Sequence, residues 1–336
     1  MSTELVAIVP KEQKYANIVW QVNNLCNYRC EYCNEGNWSG EHLNLNKEKI
    51  IAGLEKIYDY YLSKNYKLLK IYFSGGEPTY WKPLIDIIKH AKQTNFDYVK
   101  IGINTNFSTK KRWWEKNCHL FDDVVASYHP QFADDDQYIN NYIFLEDKIN
   151  YLCARLMMYE PYWDNVLSFK KKLQNQATNF RIEYAPIFDE LLNTTKPYNY
   201  KDKSKEAWLQ ENNFETNIQK SPNPIAKRLG FDLTSTEVYI DSQSLTEVSI
   251  KNLNSNRVVA EGNNFFYGWK CFLPECIFIR ADGSIDLGTC GAVDTIGSLY
   301  TDFEFPKNEF IICPKNHCFC GTDIGITKMN EEKYNG

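Results

Sequence analysis

Three cysteines near the start of the chain, Cys26, Cys30 and Cys33, stand at a spacing that suits a metal cluster. Three thiolates within eight residues can wrap one corner of a [4Fe–4S] cube, but complete protein ligation of such a cluster takes four cysteines. One iron is then left open, and an open metal position is how a catalytic site admits a small ligand. The alternatives are a zinc knuckle and a structural cluster, for which His42, nine residues beyond Cys33, is the nearest candidate fourth ligand.

The residues around these cysteines carry a family resemblance. C-x3-C-x2-C follows a predicted strand and has an aromatic residue, Tyr32, before its last cysteine. This pattern resembles the defining motif of the radical S-adenosylmethionine (SAM) superfamily. The resemblance implies a SAM-binding [4Fe–4S] cluster that cleaves SAM to methionine and a 5′-deoxyadenosyl radical, which then abstracts hydrogen from a substrate. It also implies an external low-potential electron donor of the flavodoxin or ferredoxin type.

A second motif, Gly75-Gly76-Glu77-Pro78, follows the next predicted strand. Glycines let a backbone approach a ligand closely, and a carboxylate can accept hydrogen bonds from an ammonium group. Alone, these four residues indicate only a turn. At the end of the second strand after the cysteine motif, they resemble the superfamily element that binds the amino group of SAM.

Polar residues also end the later predicted strands, and strand ends of an α/β barrel line one mouth. Asn104 and Asn106 fit a polar position directed at SAM or substrate. Ser127 resembles a serine that contacts the SAM ribose in relatives with a C-terminal cluster module. Arg155 can pair with the SAM carboxylate or make a structural salt bridge. His129 can carry a proton or serve as a packing residue.

Six further cysteines lie near the C-terminus: Cys271, Cys276, Cys290, Cys313, Cys318 and Cys320. A predicted hairpin with an Asp-Gly turn at Gly283 lies between the second and third of them. The arrangement resembles the auxiliary-cluster module of the SPASM/twitch subgroup, although the full SPASM module uses seven cysteines. The resemblance implies one auxiliary [4Fe–4S] cluster, with a structural zinc site as the alternative. Its four ligands are expected among Cys271, Cys290, Cys313, Cys318 and Cys320; participation of Cys276 stays open.

The predicted function is that of a radical SAM oxidoreductase or maturase. An auxiliary cluster can take an electron from a substrate radical, so the resemblance implies net oxidation, or epimerisation with hydrogen return from a thiol. Cys118, Cys153 or a spare C-terminal cysteine is a candidate thiol, although isolated cysteines are more often buried apolar residues. A ribosomal peptide or protein side chain is the expected substrate. Only 25 residues precede Cys26, so leader recognition would require a separate protein or the segment 191–267.

Two alternatives to this function stay open. One is a radical SAM dehydrogenase or epimerase of a small molecule such as a sugar or aminocyclitol. The other is a non-catalytic iron–sulfur electron-transfer protein or zinc-binding protein.

Short β-rich segments that alternate with helical patterns predict an α/β fold. We expect a partial (β/α)6 barrel of the radical SAM type over residues 1–190, a connecting or substrate-covering segment over 191–267, and a small Cys-rich iron–sulfur module over 268–336. The predicted strands are Ile18–Leu25, Leu69–Ser74, Val99–Thr105, Val124–Tyr128, Tyr151–Met158 and Phe180–Ile187, with a later pair at Thr236–Ile240 and Leu245–Ile250. The predicted helices are Asn46–Lys64 and Lys82–Gln93.

The composition limits the partners and the compartment. The chain has 336 residues, 43% of them hydrophobic, and a net charge of −5, which gives no basic footprint for nucleic acid or an anionic membrane. It has no apolar run long enough to span a bilayer and no signal peptide, so a cytoplasmic location is expected. Eleven cysteines in a reducing compartment favour metal or redox roles over disulfides.

Overall fold

The structure is a computed structural model that describes residues 3–33, 35–40, 46–187, 200–212, 214–218, 235–241, 244 and 246–334. His42 and much of the predicted connecting segment, residues 191–199 and 219–234, lie outside these ranges.

The described residues form two sheets and a set of surrounding helices. The strands are Thr3–Pro10 (β1), Tyr15–Gln21 (β2), Leu68–Ser74 (β3), Tyr98–Thr105 (β4), Asp123–Tyr128 (β5), Tyr151–Met157 (β6), Phe180–Ala185 (β7), Phe214–Asn217 (β8), Ser235–Asp241 (β9), Glu247–Asn252 (β10), Lys270–Cys271 (β11), Cys276–Ile279 (β12), Ser284–Leu287 (β13), Gly297–Ser298 (β14), Ile311–Ile312 (β15) and Lys328–Met329 (β16). The helices are Lys47–Ser63 (α1), Leu84–Ala91 (α2), Lys111–Asn117 (α3), Asp135–Leu145 (α4), Trp163–Gln176 (α5), Lys203–Glu211 (α6), Ser255–Ala260 (α7) and Gly321–Ile324 (α8).

The larger sheet has ten strands in the order β14-β13-β12-β2-β3-β4-β5-β6-β7-β8. Its seven central strands, from β12 to β7, are parallel, and antiparallel pairs complete both ends. Helices α1 to α5 each connect two successive strands between β2 and β7, as parallel pairing requires. The predicted α/β fold, with a mainly parallel central sheet and flanking helices, is confirmed.

Side chains alternate between the two faces of this sheet. On β3, Ile71 and Phe73 are fully buried in the core shared with the helices, and the neighbouring Ser74 points to the other face, where it lines a cavity. The apolar face packs the sheet against its helices. The inner face carries the polar side chains and thereby positions the site.

The predicted elements lie close to the observed ones. Five of the six predicted strands agree with β3 to β7 to within two residues at either end. Helix α1 begins after Asn46, whose side-chain oxygen accepts hydrogen bonds from the backbone N–H groups of Glu48 and Lys49, at 2.8 and 3.2 Å. Strand β2 ends at Gln21, four residues before the predicted end at Leu25, because the Asn23 side chain accepts a hydrogen bond from the Leu25 N–H and turns the chain.

The second sheet is antiparallel, with strand order β10-β9-β1-β16-β11-β15. Its β9–β10 pair is the predicted one, whereas β1 was not predicted. The C-terminal hairpin β12–β13 forms as expected, with its turn at Gly283 (φ +86°), but it extends the ten-stranded sheet through the parallel pairing of β12 with β2. Residues of the predicted first and third segments therefore share both sheets; the three-part division stays a prediction.

Helices in the described ranges all fall short of the length and apolarity needed to cross a bilayer.

Candidate active site and metal centres

A cavity of about 350 Å³ lies at the C-terminal ends of the parallel strands. It is lined by ten of the residues that the sequence predicts: Cys26, Cys30, Cys33, Gly75, Gly76, Asn104, Asn106, Ser127, His129 and Arg155. The structure thus brings together residues that are up to 129 positions apart in the chain. Of the residues predicted between positions 26 and 155, five are not among the lining ones: Tyr32, Glu77, Pro78, Cys118 and Cys153.

Eight lining residues were missed by the sequence analysis: Gln21, Tyr28, Asn37, Trp38, Ser74, Thr105, Met157 and Phe278. Gln21 and Ser74 are register partners at the ends of β2 and β3, so the strand-end rule applied to every strand would have found them. Phe278 comes from the C-terminal hairpin and reaches the cavity because β12 pairs with β2. No local signal in the sequence announces that pairing.

The cysteine loop holds its thiols at the cavity wall. The Cys33 N–H donates to the Cys30 carbonyl at 2.9 Å, which folds the second half of the motif into a turn. The Cys26 sulfur accepts hydrogen bonds from the Tyr28 N–H at 3.3 Å and from the Asn106 amide at 3.5 Å. Burial raises the pKa of the Cys30 thiol to about 12 and that of Cys33 to about 11, so without metal both thiols are protonated at neutral pH. Metal binding must therefore displace their protons.

Three soft sulfur donors suit iron–sulfur ligation. Within the described ranges, no three His, Cys, Asp or Glu side chains gather around a single metal position. A [4Fe–4S] cluster does not require such a position, because its thiolates bind separate irons.

Tyr32 and His129 form a half-buried pair beside Cys30. The Tyr32 hydroxyl lies 2.7 Å from His129 Nδ1, and the two rings stack with their centroids 6.0 Å apart. The Cys30 sulfur lies 3.5 Å from the same ring nitrogen. Burial raises the pKa of the Tyr32 phenol and lowers the pKa of His129 to about 4, so the phenol donates to a neutral imidazole. Tyr32 thus orients His129, and the proton-carrier role predicted for His129 stays a prediction.

The glycines of the second motif permit a close approach of two backbone segments. The Gly76 N–H donates to the Asn23 carbonyl at 3.0 Å, and the Glu77 N–H donates to the Leu25 carbonyl at 2.7 Å. A Cβ atom on Gly76 would lie 2.1 Å from the Leu25 oxygen, which is backbone and has no room to move. The motif therefore fixes the chain that leads into Cys26, in addition to lining the cavity.

Glu77 connects the ends of β3 and β4. Its carboxylate is fully buried and accepts hydrogen bonds from the Thr79 N–H and hydroxyl, the Thr105 hydroxyl and the Asn106 N–H, at 2.6–3.0 Å. Burial raises the pKa of this carboxyl, and the hydrogen bonds oppose that rise. Pro78, which is also buried, begins the short turn after Glu77. In this arrangement Glu77 positions Asn106, and direct contact with a SAM amino group stays a prediction.

The cavity wall presents groups that match an amino-acid ligand. Asn104 Oδ1 is buried and has no hydrogen-bond partner among the described residues. Arg155 bonds Glu183 through Nε at 2.8 Å, and its two Nη groups make no further bond within the described part of the chain. Ser127 is the register partner of Arg155. An unsatisfied acceptor and a guanidinium that face one cavity fit the ammonium and carboxylate groups of SAM.

Arg155→Met is expected to weaken SAM binding about 10- to 100-fold, because a hydrogen bond to a charged group contributes roughly 1.5–3 kcal/mol. Equilibrium dialysis of labelled SAM against anaerobically reconstituted protein measures the change. Arg181→Met is the matched control, since Arg181 lies on β7 and does not line the cavity. Equal SAM affinity in wild type and Arg155→Met would leave Arg155 with only its structural ion pair.

The two candidate hydrogen donors lie away from the cavity wall. Cys118 is half-buried and follows α3, and Cys153 is fully buried on β6. Cys153 shares a strand face with Arg155 but stands two residues nearer the strand start, and burial raises its pKa to about 12. Their predicted role in hydrogen return stays untested.

A second cavity, of about 20 Å³, lies among the C-terminal cysteines. Four of the five predicted auxiliary ligands line it: Cys271, Cys290, Cys313 and Cys318. Cys320 is not among its lining residues and precedes α8 as its N-cap, and Cys276 lies on β12 beside Asn17. Burial raises the pKa of Cys271 to about 12 and that of Cys290 to about 11, so these thiols too must lose protons on metal binding.

Residues 20–168 match the family model described as the Radical SAM superfamily. This range contains the three N-terminal cysteines, the Gly-Gly-Glu-Pro motif and every other predicted residue of the first cavity. Residues 20–168 are therefore similar to a radical SAM superfamily domain. Members of that superfamily are enzymes, and the superfamily implies SAM and a [4Fe–4S] cluster as cofactors.

Similar proteins include the "Probable GTP 3′,8-cyclase" of Saccharolobus islandicus (strain L.S.2.15 / Lassen #1), which is 26% identical over 32% of this chain and 33% of its own length. The PqqA peptide cyclase of Bradyrhizobium diazoefficiens is 29% identical over 27% of this chain and 21% of its own length. The chain thus spans a third or less of the length of these relatives. Among solved structures, anSMEcpe with bound AdoMet shows a TM-score of 0.48 and 13% identity, over 86% of this chain and 79% of the other.

Proposed function

We propose that this protein is a radical SAM oxidoreductase that uses two iron–sulfur clusters. The observation that carries the proposal is the meeting of Cys26, Cys30 and Cys33 with Asn104 and Arg155 in one cavity at the strand ends. Three thiolates leave one iron open for SAM. When bound, the cluster and SAM supply a 5′-deoxyadenosyl radical that takes a hydrogen atom from the substrate.

The residues of the chain have separate tasks in this scheme. Cys26, Cys30 and Cys33 would hold the cluster, and Asn106 supports Cys26 by its hydrogen bond. Asn104 and Arg155 would orient the amino-acid end of SAM. A low-potential flavodoxin or ferredoxin would supply the electron that SAM cleavage consumes.

The four-cysteine cavity supports an auxiliary [4Fe–4S] cluster held by Cys271, Cys290, Cys313 and Cys318. Such a cluster would accept one electron from the substrate radical while a proton is lost, which balances a two-electron oxidation. Hydrogen return from a thiol, as in an epimerase, would require no such acceptor. The second cavity therefore favours oxidation.

We favour a ribosomal peptide or a protein side chain as the substrate. The similarity to a PqqA peptide cyclase supports this class. The competing substrate class is a small molecule such as a sugar. Incubation with candidate peptides, followed by mass spectrometry for a loss of two hydrogens, distinguishes the two classes.

Cys318→Ala is expected to abolish substrate oxidation, to lower the iron content by about one [4Fe–4S] cluster, and to leave SAM cleavage intact. Iron per chain and 5′-deoxyadenosine formed with a strong reductant are the measurements. Cys320→Ala is the matched control, because Cys320 lies outside the four-cysteine cavity and should keep the full iron content. Equal loss of SAM cleavage and turnover in Cys318→Ala would make the C-terminal cysteines structural.

A further inference from the structure

Lys328 is a charged side chain buried in the wall of the four-cysteine cavity. It is 2% exposed, and its Nζ donates to the carbonyl oxygens of Asp323, Ile324 and Ile326. A lysine ammonium has three donors, whereas a neutral amine has two hydrogens to give. The three carbonyl acceptors thus match the three donors of a lysine ammonium. The Phe266 ring, with its centroid 5.0 Å from Nζ, adds a further favourable contact for a cation.

The strand register places this cation on the same face as one of the cavity cysteines. Lys328 on β16 is the antiparallel partner of Cys271 on β11, so the two side chains share one face of the ladder. The adjacent Lys270 lies on the opposite face and pairs with Glu331 at 2.6 Å. Of these two lysines, Lys328 lines the cavity and Lys270 does not.

Lys328 forms no ion pair within the described part of the chain, and a buried, unpaired cation is costly. Asp323 lines the same cavity, but its carboxylate is held by the Thr289 N–H and hydroxyl at 2.7 and 2.6 Å. Lys315 and His317 line the cavity from exposed positions, where solvent screens their charge. A cluster with four thiolates is anionic and becomes more so on reduction, so it supplies the counter-charge that Lys328 lacks.

We propose that Lys328 raises the reduction potential of the auxiliary cluster and so favours the cluster as the electron acceptor from the substrate radical. This inference rests on the proposed function, since it requires the four-cysteine cavity to hold a [4Fe–4S] cluster. A nearby positive charge stabilises the reduced form more than the oxidised form, because reduction adds one negative charge. The nearby Asp323 carboxylate acts in the opposite direction, so removal of Lys328 leaves that effect unopposed.

The test uses the full-length chain with Cys26, Cys30 and Cys33 changed to Ala, so that only the C-terminal cysteines bind a cluster. This protein, with Lys328 in place, is the parent. Its iron content and EPR-monitored redox titration are compared with those of the Lys328→Met, Lys328→Gln and Lys328→Arg variants. The Gln variant keeps a donor for the carbonyls in case the Met variant does not fold. Lys270→Met is the matched control for a Lys→Met change on the opposite face of the ladder.

We expect the equilibrium constant for cluster reduction to fall at least tenfold in the two uncharged variants, which is about 59 mV for one electron. Lys328→Arg and Lys270→Met should stay within about twofold of the parent. A full iron content with an unchanged reduction potential in the uncharged variants would overturn the role of Lys328, because a structural lysine would affect stability alone. The auxiliary cluster itself would not be contradicted by that result. Absence of iron from the parent chain would instead overturn the auxiliary cluster, and this inference with it.

Discussion

Cys30→Ala is expected to reduce 5′-deoxyadenosine formation to the background of the reductant alone. The thiol of Cys30 is buried beside His129 and lines the same cavity as Cys26 and Cys33, so no other cysteine of that cavity can replace it. Two thiolates are too few to hold the cluster. The cluster is therefore lost, together with the iron that binds SAM. Liquid chromatography of the products under anaerobic conditions, with and without dithionite, measures the effect.

Cys118→Ala provides the matched control for that experiment. Cys118 is a free cysteine outside both cysteine-lined cavities, so its loss should leave SAM cleavage at the wild-type rate. Cys30→Ala should still retain the iron held by the C-terminal cysteines. Substantial 5′-deoxyadenosine formation by Cys30→Ala would refute the assignment of the SAM-binding cluster to these three residues.

Glu77→Ala is expected to lower the free energy of unfolding by roughly 3–5 kcal/mol, because it leaves several buried donors without an acceptor. The Thr79 and Asn106 N–H groups and the Thr105 hydroxyl all donate to this carboxylate. Loss of these bonds should also free Asn106 and loosen its contact with Cys26. Urea unfolding of anaerobically purified protein, followed by tryptophan fluorescence, measures the stability.

Glu309→Ala serves as the control for that substitution. Glu309 is exposed and pairs with Lys64 at the surface, where ion pairs contribute little to stability. Its loss should leave the unfolding midpoint and the iron content unchanged. If Glu77→Ala were as stable as Glu309→Ala, the buried network would not hold β3 and β4 together, and the role of Glu77 would have to lie in ligand contact.

The parallel part of the ten-stranded sheet could be predicted from the sequence because its signals are local. Alternating apolar residues mark β3 to β7 to within two residues, and the spacing of Ile50, Leu54 and Ile57 marks the buried face of α1. Once these strands are parallel, their C-terminal ends must meet, which is why ten predicted residues share one cavity.

The remaining features depend on long-range pairing, which local patterns do not encode. Phe278 enters the first cavity only because β12 pairs with β2, an association of segments about 260 residues apart. The choice among the C-terminal cysteines likewise depends on short strands such as β11 and β15, with two residues each. Glu77 shows a further limit: its motif resembles a ligand-binding element, while its carboxylate accepts four hydrogen bonds from neighbouring residues of the protein.

The iron cluster at Cys26, Cys30 and Cys33 is expected to leave one iron open for SAM. The EPR spectrum of the reduced, anaerobically reconstituted protein before and after addition of SAM tests it most directly. We expect SAM to alter the spectrum in wild type and in Cys318→Ala, and the change to disappear in Cys30→Ala. A spectrum that SAM leaves unaltered, or a protein that binds only zinc at these three thiolates, would contradict it.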